Sequence, residues 1–163
     1  MIFDTHAHYY DEAFDADRDA LLSALPGRGV ALVVCPGCDL GSSRACVSLA
    51  ERYDYLYAAA GIHPENLEGV ALAELDGVKA LCAHPRVVAV GEVGLDYYWV
   101  KTPEARKRSR DFFDAQLSLA EELDLKAYGG FILSYNGGRI MNCTTGEVVF
   151  SRELPVESNR TII

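Results

Sequence analysis

Short, almost wholly apolar runs alternate along the chain with longer stretches in which apolar residues recur every three or four positions. The runs at 2–5, 30–35, 56–62 and 87–90 predict strands, and the periodic stretches at 15–25, 42–53, 70–83 and 102–124 predict helices. Pro103 suits the first turn of the last helix, where its missing N–H costs nothing. The strand runs do not alternate apolar with polar residues, so the pattern predicts a parallel sheet buried on both faces. Right-handed crossovers make this a consecutive (βα)4 array, the first half of a TIM (β/α)8 barrel, whose full length is typically about 250 residues.

After Leu125 the pattern changes. The segment FILSYNGGRIMNCTTGEVVFSREL reads as strand, Asn136-Gly137 turn, strand, Thr144-Thr145-Gly146 turn and strand, a short antiparallel β-meander. The expected division is therefore a half barrel over 1–125 and a β-hairpin or meander tail over 126–163. No Pro- or Ser-rich linker, low-complexity tract or repeat beyond the βα alternation marks the boundary.

Composition narrows the function classes. With 163 residues, half of them apolar, the chain can bury a core, and disorder is excluded. No apolar run nears the roughly 18 residues of a membrane span, and no basic-then-apolar leader opens the chain, so a cytoplasmic location is expected. Five cysteines, an odd number, fit reduced thiols rather than a disulfide framework. Cys35-Pro36-Gly37-Cys38 has redox-motif spacing, but no second pair completes a four-cysteine zinc site, and it is read as structural. The net charge of −9 supplies no field to attract a polyanion. Phosphate chemistry stays open, since a divalent metal can be the largest local charge in a site.

The candidate chemistry lies where strands end. His6 and His8, two apart after the first strand, can project the same way at the barrel end that carries active sites. Imidazoles suit zinc and similar cations, with Asp4 or Thr5 as neighbours able to orient the rings. Glu92 follows the fourth strand, flanked by Gly91 and Gly94, and could ligate or bridge metals there. His63, in GIHPE after the third strand, either meets a substrate phosphate, supports the metal, or is a loop histidine braced by Pro64. Asp96 either orients a ligand or holds a turn. His84 follows a helix, on the opposite barrel face, and reads as structural. Five cations in KTPEARKRSR read as a solvated helix face, with a nucleic-acid contact as the other reading.

Together, FDTHAH, GIHPE, VGEVGLDYY and FFDAQLSLAEELDL resemble the TatD-type metal-dependent deoxyribonucleases of the amidohydrolase-like barrel superfamily, over residues 1 to about 125. The resemblance implies a hydrolase cutting phosphodiesters at DNA ends with two divalent ions, zinc, magnesium or manganese. His6 and His8 would ligate one ion, and Glu92, the catalytic carboxylate, would reach both. His63 and Asp96 would bind substrate or support the ligands.

The family pattern also has a histidine in an H-x-R segment after LDL, another on strand six and an aspartate in E-T-D on strand eight. Here Lys126-Ala127-Tyr128-Gly129-Gly130 follows instead, and no histidine occurs after His84. The expectation is a truncated, impaired hydrolase; the alternative is an inactive fragment or chimera that binds metal at most. The tail is similar to a strand-and-hairpin block of Cof-type phosphatases in the haloacid dehalogenase-like superfamily. An open half barrel exposes strand edges, so self-association is expected.

Overall fold

The computed structural model describes residues 1–129, 138–141 and 148–152, with side chains through residue 125. Five strands form one sheet in chain order: β1 (Ile2–Asp4), β2 (Val30–Pro36), β3 (Leu56–Ala60), β4 (Val87–Val93) and β5 (Lys126–Gly129). Every neighbouring pair is parallel, in registers such as Val33↔Leu56, Ala60↔Val90 and Val90↔Ala127. Between them run α1 (Arg18–Ala24), α2 (Leu40–Arg52), α3 (Leu75–Cys82) and α4 (Pro103–Glu122). This is the winding of half a (β/α)8 barrel, with four helices as the pattern predicted.

Both sheet faces carry apolar residues, which is why the strand runs do not alternate. Val33, Cys35, Leu56, Ala58, Ala60 and Val90 pack with Leu22, Cys46, Ala50, Val78, Phe112 and Leu119 in the main core. Val34, Ala59 and Ala89 form a smaller buried cluster. Val33 and Val34, and Ala58 and Ala59, are chain neighbours divided between the two clusters, as the pleat requires. Burying the largest of these side chains, such as Phe112 or Leu56, stabilises the fold by about 1.5–3 kcal/mol each.

Caps set the helix starts. Asp39 opens α2 through a reciprocal box: its carboxylate accepts the Ser42 amide at 2.7 Å, and the Ser42 hydroxyl accepts the Asp39 amide at 2.9 Å. The helix thus begins at Leu40, earlier than the apolar period alone placed it. Thr102 caps α4 by accepting the Ala105 amide at 3.1 Å, with Pro103 in the first turn. The stretch expected as one helix over 70–83 divides into a 3-10 turn at Leu72–Glu74 and α3.

The parallel sheet runs one strand further than the sequence indicated. Residues 126–129 pair with β4, although the apolar rhythm stops at 125. Four residues, one of them lysine and one glycine, carry too little pattern; the neighbouring strand defines them as β5. Beyond it, β6 (Gly138–Met141) and β7 (Val148–Arg152) pair antiparallel, as expected of the second hairpin. The strand expected over 131–135 and both predicted turns lie outside the described residues. Among the described residues no helix is long and apolar enough to cross a membrane.

One polar side chain ties α4 to the sheet. Gln116 is 1% exposed and sits in the α4 stripe with Phe112, Leu119 and Ala120. Its Oε1 accepts the Ile62 amide at 2.7 Å and its Nε2 donates to the Ile62 carbonyl at 3.0 Å. This holds the chain just after β3, one residue before His63. Gln116→Leu removes both partners in a buried setting, where each orphaned group costs about 1–3 kcal/mol. The unfolding free energy should fall by about 2–4 kcal/mol in urea titrations; an unchanged midpoint would show that Ile62 finds other partners.

Candidate metal centre

The chain beyond β1 continues alongside β2, since the Ala7 amide donates to the Val34 carbonyl at 3.1 Å. The histidines on either side of Ala7 consequently project together, with Nε2 atoms 3.0 Å apart. Asp4 braces the segment from below, accepting the His6 amide at 3.2 Å and the Tyr9 hydroxyl at 3.4 Å. Asp4 therefore holds backbone and a neighbouring tyrosine rather than either ring through these bonds. The His8 ring instead meets Tyr10, whose hydroxyl lies 3.0 Å from Nδ1. Tyr10 donates in turn to Cys38 Sγ at 3.3 Å, so it accepts from Nδ1–H, and the Nε2 lone pair of His8 is turned toward His6 and Glu92.

Glu92 arrives from β4 and lies within the strand rather than after it, because β4 continues to Val93 past the apolar run that ends at Val90. Its amide donates to the Gly37 carbonyl at 2.7 Å, tying the end of β4 to the end of β2. The end of β3 also comes close to β4 at a glycine: a Cβ on Gly61 would sit 2.6 Å from the Gly91 carbonyl carbon. Only glycine permits that approach, because the obstacle is backbone. The result is a carboxylate with 12% of its side chain exposed. Glu92 Oε2 lies 3.4 Å from His6 Nε2 and 3.8 Å from His8 Nε2, while Oε1 lies 3.8 Å from His63 Nε2. His63 is placed by its backbone amide, which donates to the Cys38 carbonyl at 2.8 Å, and its Nδ1 accepts the Glu65 amide at 3.3 Å. A neutral His63 therefore carries its proton on Nε2, facing Glu92.

Charge follows from these contacts. Burial pushes the Glu92 carboxyl up, but the His6 hydrogen bond and the nearby His6, His63 and His8 charges outweigh it and hold the group below the usual range. Burial and the adjacent His6 lower His8. Burial pushes the Cys38 thiol up to about 11, so it stays protonated near neutrality. The resting site combines an ionised carboxylate with a neutral His8.

His6, His8 and Glu92 present one donor atom each, all within 4.8 Å of one another. Donors held at ~2.1 Å from one cation stand roughly 3–4 Å apart, and the observed 3.0, 3.4 and 3.8 Å separations fit that spacing. Two imidazoles and a carboxylate form a donor set for a divalent transition metal.

The sequence-predicted residues thus separate. His6, His8 and Glu92 converge, and His63 faces the far oxygen of Glu92. Asp96 stands outside the donor group: its carboxylate accepts the Tyr98 and Trp99 amides at 2.7 and 2.9 Å and shapes a turn. His84 lies before β4, at the opposite end of the strand, 3.2 Å from Glu51. Sequence reasoning missed Tyr10 and read Cys38 as structural, without placing it beside Tyr10 and Glu92. Tyr10 continues the 6, 8, 10 alternation, and Cys38 follows β2 at the functional end; both signals were present. Cys35 and Cys38 are free, and buried Cys35 instead approaches Cys46 at 3.4 Å.

The family model described as TatD related DNase matches residues 3–127. The chain belongs to that family. It is 34% identical to an uncharacterized metal-dependent hydrolase, YabD, of Bacillus subtilis, over 94% of this chain and 64% of YabD. That similarity extends past the family match into the tail, whose likeness to Cof-type phosphatases finds no support. The chain is 32% identical to the 3'-5' ssDNA/RNA exonuclease TatD of Salmonella typhimurium, over 78% of this chain and 48% of that enzyme. Among solved structures, the Escherichia coli TatD homolog YjjV matches with a TM-score of 0.67 and 33% identity, over 76% of this chain and 48% of its own. A TatD family hydrolase from Entamoeba histolytica, 20% identical, shares the fold with a TM-score of 0.64 over 46% of its length. The chain thus spans about half the length of most of these relatives.

The charge pattern makes the metal-free protein acid-sensitive. His8 and Glu92 both have folded values below their ordinary 6.5 and 4.5. The unfolded chain then binds more protons, and stability present at neutral pH is lost on acidification, from below about 6.5 for His8 and below about 4.5 for Glu92. Urea midpoints of the chelator-treated protein should fall between pH 7 and 5, with a smaller fall in His8→Ala. A flat profile in both proteins would contradict the assignment.

Proposed function

We propose that this chain is a metal-dependent phosphodiester hydrolase acting on the ends of nucleic acid, DNA included. The observation that carries the reading is one buried carboxylate facing His6 and His8 with one oxygen and His63 with the other. Membership of the DNase family and the exonuclease relatives support the substrate class.

In this reading His6 and His8 hold a divalent ion with Glu92 Oε2. Zinc or manganese suits two imidazoles and a carboxylate better than magnesium, which prefers oxygen ligands and retained water. The bound ion supplies Lewis acidity and an acidified water. Glu92 Oε1, on the His63 side, would be the atom available to a second ion or a substrate oxygen, and His63 Nε2–H would donate to a phosphate oxygen there. Tyr10 keeps His8 in the tautomer whose Nε2 is a donor. Three protein donors leave coordination positions for water and substrate, and slow turnover is expected of a site with these three alone. The domain division near 125 is retained as part of the proposal, with β5 added to the first unit.

The test combines metal analysis with release of nucleotides from single-stranded DNA and RNA oligomers in zinc, manganese or magnesium. Loss of an outer partner typically costs 10–100-fold, so His6→Ala and Glu92→Gln should lose more than about 100-fold in metal-dependent release. Release that survives chelator and both substitutions would overturn the proposal.

Apolar side chains at Ile2, Phe3, Leu32 and Val88 are 54, 57, 38 and 38% exposed, and β1 pairs only with β2 within the sheet. Self-association through this region belongs to the same proposal. Light scattering across a concentration series should show species above the monomer that diminish in Phe3→Glu; a monodisperse monomer at all concentrations contradicts it.

A further inference from the structure

Three consecutive aromatics follow the metal-site strand and are used neither by the core nor by the donor group. Tyr97, Tyr98 and Trp99 are 41, 57 and 65% exposed. Their backbone is fixed: Asp96 accepts the Tyr98 and Trp99 amides, and the Val100 amide donates to the Asp96 carbonyl at 3.1 Å. The Tyr98 and Trp99 rings meet edge to face with centroids 4.7 Å apart. A side-chain cluster this apolar gains nothing from water, yet it is held in place rather than folded inward.

The cations of KTPEARKRSR do not form the uniform solvated face expected of them. Arg108 is spent on the Leu67 and Val70 carbonyls, and Lys107 on Asp111. The other three gather at the aromatic loop. Lys101 Nζ lies 4.8 Å from the Tyr98 ring centre and the Arg106 guanidinium 4.8 Å from that of Tyr97. Arg106 also donates to the Val100 carbonyl at 2.9 Å, and Arg110 to the Tyr97 hydroxyl at 3.3 Å. Rings and cations therefore alternate on one short surface of a chain whose net charge is −9.

Unpaired nucleobases present π faces that stack on aromatic rings irrespective of sequence, and neighbouring cations pair with the phosphates between them. In an acidic protein the overall field does not gather a polyanion, so its contacts have to be local and short-ranged. Trp99 is seven residues beyond Glu92, and so no more than about 25 Å of chain away. We propose that Tyr97, Tyr98 and Trp99, with Lys101 and Arg106, form a stacking platform for the unpaired bases of a single-stranded nucleic acid whose end reaches the metal centre. This rests on the nuclease reading above and assigns the strand's binding surface.

Trp99 is the chain's one tryptophan, so its fluorescence reports the platform directly. The probe is a ten-nucleotide oligothymidylate added to the full chain in chelator, where metal-dependent cleavage is suspended. Saturable quenching of Trp99 is expected, with much weaker quenching by a blunt duplex. By anisotropy of the labelled oligomer, Trp99→Ala and Tyr98→Ala should each weaken binding roughly 5- to 100-fold, while Trp99→Phe retains most of the affinity. Circular dichroism checks that the variants stay folded. Absence of quenching, or unchanged affinity in Trp99→Ala, overturns the platform, including the case where metal-dependent cleavage is intact. Quenching without any cleavage in metal supports the platform while removing the nuclease reading.

Discussion

A carboxylate taken out of water has to find positive or hydrogen-bonding partners, and the functional end of this sheet is organised around that requirement at Glu92. Two strand ends deliver imidazoles to it. The segment after β1 brings His6 and His8, and the loop after β3 brings His63 to the other oxygen. Without those rings the buried position would favour a protonated acid; with them the carboxyl is held below its usual range. The same balance that stabilises the charge in the metal-free protein is the one a cation would take over, since a metal replaces the partial positive character of the rings with a full charge.

That balance needs backbone precision. The Glu92 amide reaches across to the Gly37 carbonyl and the His63 amide to the Cys38 carbonyl, so the loops at one sheet end hold each other. Gly61 lets the end of β3 approach the Gly91 backbone of β4 where a side chain at 61 would collide with main chain. Gln116 secures Ile62 from the helix side. The centre is thus positioned by neighbouring strand ends and by α4, not by a single loop, which is the way barrels build sites from several separate strands. On the outer side of the same end, the loop after β4 is equally fixed by Asp96 and Arg106 but points its rings to solvent. The strand that carries Glu92 thus leads directly into an exposed aromatic turn whose backbone is held by hydrogen bonds.

Much of this was legible in the residues. Apolar runs without alternation mark a parallel sheet because both faces are buried, and the spacing of His6 and His8 marks a shared direction because strands repeat every two residues. These are local rules, and local sequence obeys them. The short motifs around His6, His63 and Glu92 likewise carried the family. β5 escaped because a four-residue strand at a sheet edge is defined by hydrogen bonds to β4, not by its own pattern. Gln116 interrupts an apolar stripe, and nothing in the helix itself says that its amide will meet Ile62.

Periodicity and strand direction act within a few residues, so the alternation of strands and helices, the donor residue types and their places at strand ends follow from local sequence. Which donors converge was settled by packing. It separated Asp96 from the group, set Tyr10 against His8 and Cys38 against Tyr10, and turned Lys101 and two arginines of α4, Arg106 and Arg110, toward Tyr97 and Tyr98. Those outcomes depend on contacts between residues as far apart as 10 and 38 or 6 and 92, and distances of that kind are set by how strands register and helices pack.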